Sequence, residues 1–171
     1  MVLDGLLGTA PRYPRRVVCL TEETTEILYT LGAGDLVVGV SGYTVRPKEA
    51  RQKPKVSSFL DADFERILAL KPDLVLGFSD LQADLGRELC KRGVPVYLFN
   101  QRSIAEILQT VRVVGALVGL AREGEALASA LEALSVGGFA DAERCGALAR
   151  AAMRIVVAEV ENVHGSSNAR A

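Results

Sequence analysis

Residues 59–80, FLDADFERILALKPDLVLGFSD, constrain the fold more than any other stretch, because they hold a short helix and a two-sided buried strand in one unit. Asp61 or Asp63 can cap a helix whose apolar residues Phe64, Ile67 and Leu68 recur at helical spacing. Lys71-Pro72 ends it, since a residue before proline is pushed out of the helical region. Residues 74–76, Leu-Val-Leu, are apolar without alternation. A strand with no polar face has to be covered on both sides, which is the condition of strands inside a parallel sheet. Ligands of open parallel sheets collect beyond the carboxyl ends of the strands, so Gly77-Phe78-Ser79-Asp80 is a candidate binding loop.

The same grammar runs through the flanking chain. Residues 17–20 predict a strand, and Thr21 is a candidate N-cap for a helix carrying Ile27, Leu28 and Leu31, which Gly32 and Gly34 end. Residues 37–40 predict a second strand. The following run 41–56, SGYTVRPKEARQKPKV, is too long and polar for a tight turn and reads as a surface excursion that can line a pocket rim. After the central unit comes a helix through Leu85 and Leu89, closed by Gly93, and a strand at 96–99. Ser103 can cap a helix carrying Ile104, Ile107, Leu108 and Val111; Gly119 interrupts the pattern, and a further helix is expected over 123–134. Strands alternating with helices predict an α/β fold, a Rossmann-like parallel sheet of about four strands with helices on both faces. At 171 residues and 49% hydrophobic content, the chain has enough apolar material for one such core.

Charge and motifs narrow the function classes. A net charge of -1 gives no footprint for nucleic acid. No apolar run reaches the length of about eighteen residues that suggests a membrane span. The lead-in 1–14 lacks a basic start followed by an apolar stretch, and so does not read as a signal peptide. Cys19, Cys90 and Cys145 are widely spaced and read as buried thiols rather than as a disulfide framework or a zinc site. No GxGxxG follows the first strand and no phosphate loop appears; the single histidine, His164, stands apart from any core nucleophile. Asp61, Asp63 and Asp80 are explained as caps and turn residues before they are explained as Mg²⁺ ligands. An enzyme is therefore the least favoured class.

Three segments carry a likeness: RRVVCLTEETTEILYTLGAGDLVVGVSGY at 15–43, ERILALKPDLVLGF at 65–78 and KRGVPVYLFN at 91–100. Together they resemble the N-terminal lobe of the substrate-binding proteins of bacterial ABC importers for metal chelates, and within that family the vitamin B12 (cobalamin) binders. The resemblance implies a lobe over 15–134, preceded by an irregular lead-in at 1–14 and followed by an unassigned tail at 135–171 where the family continues into a second lobe. It implies a non-enzymatic role: non-covalent binding of a corrinoid and its presentation to a membrane permease. Haem or an iron siderophore on the same scaffold is the alternative, as is a truncated product without independent function. A homodimer could complete the missing lobe. The family is periplasmic, whereas the N-terminus on its own predicts a cytoplasmic chain.

The resemblance places Tyr43, Phe59 and Phe78 where cobalamin binders set aromatic side chains against the flat corrin, although two of those positions are commonly tryptophan, so Phe59 and Phe78 depart from the pattern. Rigid aromatic faces suit a broad, partly apolar macrocycle, and a few polar groups fix its amide side chains. Ser79, Asp80, Gln82, Gln101 and Arg102 are candidates for that polar part. Tyr43 could instead serve haem as an axial ligand. Glu22 and Glu23 either complement the helix dipole or touch the ligand. Glu65 matches the acidic residue that faces the transporter, and a carboxylate in a first helical turn is equally explained by the dipole.

Overall fold

A computed structural model describes residues 13–58 and 60–137 of the chain. In chain order the elements are β1 (Val17–Cys19), α1 (Glu22–Thr30), β2 (Val37–Ser41), β3 (Lys55–Ser57), α2 (Phe64–Ala69), β4 (Leu74–Phe78), α3 (Ala83–Lys91), β5 (Val96–Phe99), α4 (Ile104–Leu117) and α5 (Ala121–Gly137). The strands form one parallel sheet in the order β3-β2-β1-β4-β5.

Alternation along the central strands assigns the two faces. Val17, Cys19, Leu74 and Leu76 point into a core shared with Ile27 and Leu28 of α1, Leu108 and Val111 of α4, and Leu127 of α5. Val18, Leu20 and Val75 point the other way, against Ile67 of α2 and Leu85 and Leu89 of α3. Strands apolar at every position thus sit where both faces are covered, as the sequence predicts. From β1 the chain steps outward to β2 and β3, then crosses back through α2 to β4 on the opposite side. The order therefore reverses between β1 and β4, and the crevice outside their carboxyl ends is the place such a sheet offers a ligand.

Several local expectations are modified. The sheet has five strands, because Lys55–Ser57 pairs with β2 through Val40↔Lys55 and Ser41↔Ser57 inside the segment read as a surface excursion. An edge strand of three residues bearing a lysine needs only one buried side chain, Val56, and so leaves no apolar signature. Asp63, not Asp61, caps α2, accepting from the Arg66 N–H at 2.9 Å. Thr21 occupies the N-cap of α1 without capping a backbone N–H; its hydroxyl pairs with the Thr24 hydroxyl at 3.3 Å, and the Thr25 hydroxyl donates back to the Thr21 carbonyl at 3.0 Å. The last helix begins earlier and ends later than 123–134. It packs close to α4 because Gly115 and Gly124 face each other; a Cβ at Gly115 would sit 2.9 Å from the Gly124 Cα. Cys19 is buried as expected, but Cys90 is exposed. Phe59, Cys145, His164 and the tail from 138 onward lie outside the described residues.

Candidate functional site

The β4 end is built around a buried glutamine. The Phe78 N–H, at the last residue of β4, donates to Gln82 Oε1 at 2.9 Å, and the Ser79 N–H donates to the Phe99 carbonyl at 2.6 Å, tying β4 to β5. Ser79 has φ 67° and ψ 168°, a conformation that serine rarely adopts, and its hydroxyl accepts from the Leu81 N–H at 3.2 Å. Backbone strain of this kind is held in place by surrounding bonds and concentrates where a loop serves a ligand or a switch.

Across the loop, the β5 end supplies a cation. Arg102 Nη2 donates to Asp80 Oδ1 at 3.1 Å and to Asn100 Oδ1 at 2.8 Å, and the guanidinium lies 5.7 Å from the centre of the Phe78 ring. Its backbone N–H donates to Glu106, whose own N–H donates to the Ser103 hydroxyl at 3.3 Å, a reciprocal cap that starts α4. The Arg102 N–H, followed by the Ser103 hydroxyl, pulls the Glu106 carboxyl below the usual carboxylate range. Gln101 is buried, its Oε1 lying 3.4 Å from the Thr110 hydroxyl. Phe78, Ser79, Asp80, Gln82, Gln101 and Arg102 therefore form one cluster over the ends of β4 and β5.

Tyr43 stands apart from that cluster. It follows β2, two strand spacings or about 10 Å along the sheet edge from β4. Its side chain is 60% exposed. Beside it the β1 end carries Glu22, Glu23 and Glu26. Burial, and then the neighbouring Glu23, pushes the Glu22 carboxyl above its ordinary range, partly offset by the Val45 backbone and Arg46. Glu22 is thus partly buried beside the loop after β2. Glu65, 84% exposed, pairs with Arg92 Nη1 at 2.9 Å, and Arg92 also pairs with Glu88 and stacks over Phe64.

Tertiary structure sets four further residues beside Tyr43 that no sequence pattern marks as site residues. Among the described residues, Tyr43, Val45, Leu60, Leu81 and Ile104 are large apolar side chains exposed to solvent, and all five follow the carboxyl ends of β2 to β5. Only Tyr13 and Tyr97 share that exposure elsewhere among the described residues. Ile104 was expected in the α4 core with Ile107, Leu108 and Val111; it is in phase with them, but it opens the helix and is 46% exposed. A separate cleft of 640 Å³ lies between α1 and the loop after β2, lined by Glu26, Tyr29, Thr30, Arg46, Pro47, Lys48 and Glu49. It contains none of the candidate ligand residues. Among the described residues no group of three or more His, Cys, Asp or Glu is placed to hold a metal ion, and no helix is long and apolar enough to cross a membrane.

The profile of the family described as periplasmic binding protein matches residues 17–133. The chain belongs to that family. An uncharacterized ABC transporter substrate-binding lipoprotein of Bacillus subtilis is 31% identical over 128 residues, covering 72% of this chain and 40% of that protein. A vitamin B12-binding protein of Yersinia pestis is 36% identical over 109 residues, covering 63% and 39%. Among solved family members, the periplasmic vitamin B12 binding protein of Vibrio cholerae superposes with a TM-score of 0.66 at 26% identity, covering 74% of this chain and 52% of that one. A periplasmic heme-binding protein of Roseiflexus sp. RS-1 gives 0.67 at 29% identity, covering 77% and 51%. The chain therefore spans about two fifths of these curated relatives and about half of these solved family members.

Proposed function

We propose that the chain binds a corrinoid non-covalently at the carboxyl edge of its sheet and contributes to presenting it to the membrane permease of an ABC importer. The observation that carries this reading is the gathering of Tyr43, Val45, Leu60, Leu81 and Ile104 at the strand ends, a row of exposed apolar side chains that a broad macrocycle would cover. Phe78, half-buried and packed against the core beneath α1 and α4, borders the row, and Phe59, outside the described residues, is proposed on the family resemblance alone. Asp80 and Arg102 are the exposed polar groups proposed for the ligand's amide rim, with Ser79 and Gln101 buried beneath them in support, and Glu65 is the carboxylate proposed to face the permease. In this reading residues 15–134 act as the ligand-binding lobe, working outside the cytoplasm like the two solved proteins described as periplasmic.

Electrostatics supports an amide-edged ligand. Arg102 already donates to Asp80 and Asn100, so its charge is partly balanced before a ligand arrives, which leaves less attraction for an anionic rim. Haem, with two carboxylates, is the second reading; it is favoured by the exposed Tyr43 phenol, which is open to act as an axial ligand. Parallel absorbance and heat titrations with cyanocobalamin and haemin test both. Saturable cobalamin binding weakened by Tyr43→Ala and Phe78→Ala supports the corrinoid. A shifted haem band abolished by Tyr43→Phe replaces it with haem, and a folded chain silent to both overturns the proposal. The endpoint also reads assembly: two chains per ligand would mean a homodimer closing over it.

A further inference from the structure

The loop after β2 presents Tyr43 and Val45 to solvent, so apolar burial does not hold its tip in place. A backbone turn closes its base, the Thr44 N–H donating to the Ser41 carbonyl at 3.1 Å, and three consecutive residues from there on are held by long charged side chains. Lys55 Nζ donates to the Thr44 carbonyl at 3.2 Å, Arg51 Nε donates to the Val45 carbonyl, and the Arg46 guanidinium pairs with Glu26 Oε1 at 2.8 Å. The Glu26 side chain is only 11% exposed, which makes it a fixed anchor on α1 rather than a flexible surface acid. Lys55 is held beside Arg51, and burial, then that like charge, lowers its pKa. Two cations so close are tolerated because each is spent on a neighbouring carbonyl of one loop.

We propose that Glu26, Arg51 and Lys55 are positioning residues: they lock residues 44–46 and thereby set where Tyr43 and Val45 stand on the ligand edge, without touching the ligand. The inference rests on the strand ends being that edge. A held loop presents its apolar side chains already in place, and the apparent affinity falls in proportion to the fraction of molecules in which the loop is held. Ion pairs and carbonyl bonds thus determine the affinity of an apolar surface.

The chain has no tryptophan, so Val45→Trp installs a sole indole on the loop. Without ligand, the steady-state fluorescence anisotropy of that indole should fall in Glu26→Gln and in Lys55→Met, and should return to the starting value when Glu26→Arg is combined with Arg46→Glu. In the chain with Val45 intact, Glu26→Gln should weaken cyanocobalamin about tenfold if the held fraction falls to about a tenth, with the same rescue by the charge swap. Unchanged anisotropy in both single variants overturns the inference, as does a fall that the swap fails to reverse. Lys55→Met decides the matter if Glu26→Gln does not fold. Failure of the unaltered chain to bind cobalamin removes the ligand reading alone, because the anisotropy series still reports whether the loop is held.

Discussion

Gly77→Ala is the perturbation whose effect follows most directly from the packing under the site. A Cβ there would lie 2.6 Å from Gln82 Oε1, 2.8 Å from Leu98 Cδ2 and 3.5 Å from Leu20 Cδ1. Gln82 is fully buried, and its Oε1 accepts from the Phe78 N–H at 2.9 Å, so it cannot retreat without breaking that bond or opening the core. Overpacking a well-filled core costs about 1–3 kcal/mol, and the lost bond adds about 1, for a total of about 2–4 kcal/mol. With a urea slope of about 2 kcal/mol per molar, the unfolding midpoint followed by far-UV circular dichroism should fall by about 1–2 M. Leu98→Ala removes the apolar atom nearest the new methyl, so in that background Gly77→Ala should cost measurably less. A midpoint shift under about 0.3 M, or strict additivity with Leu98→Ala, would refute the claim that Gly77 is required by the close approach of Gln82 and Leu98.

Four further outcomes are expected. Ser103→Ala should destabilise the fold by about 1 kcal/mol in urea, less than additively with Glu106→Gln, because the two side chains cap the same turn. Burial pushes the Cys19 thiol up to about 11 from 9.0, so iodoacetamide at pH 8 should label Cys90 and spare Cys19 by peptide mapping. Because the folded value is the higher one, the stability tied to Cys19 is whole below pH 9 and is lost as pH rises toward 11; Cys19→Val should flatten that alkaline decline. Asp73 accepts from the Arg15 and Arg16 N–H groups, both at 2.8 Å, and so secures the entry to β1; Asp73→Ala should speed amide exchange at Arg16 about tenfold or more.

The central sheet was legible because burial on both faces leaves a mark that periodicity detects. Residues 17–20 and 74–76 are apolar throughout, and they became the two strands flanking the switch point. β3 left no such mark: its hydrogen bonds come from pairing with β2, and its side chains Lys55 and Ser57 are not fully buried. Caps were readable where a short polar residue precedes an apolar period, as at Asp63 and Ser103; at Thr21 the same signal marked the right position without the expected bond.

The candidate site divides along a similar line. Phe78, Ser79, Asp80, Gln101 and Arg102 could be nominated from sequence because they directly follow strands, and strand ends of a parallel sheet are where its loops emerge. Val45, Leu60, Leu81 and Ile104 could not, since an apolar residue in a string of letters is a core candidate by default. Ile104 shows the reason: its phase places it with the buried face of α4, yet it opens the helix and stands exposed there.

What the sequence by itself determined was the alternation of strands and helices, their approximate limits and the family, all of which rest on local patterns of apolar and capping residues. Only the tertiary structure decided the strand order, the fifth strand, the exposed apolar edge and the charged hold on the loop after β2. Those depend on which distant segments meet. Lys55 and Thr44 are eleven positions apart and Arg46 and Glu26 twenty, and no local pattern encodes a contact made by closing such loops.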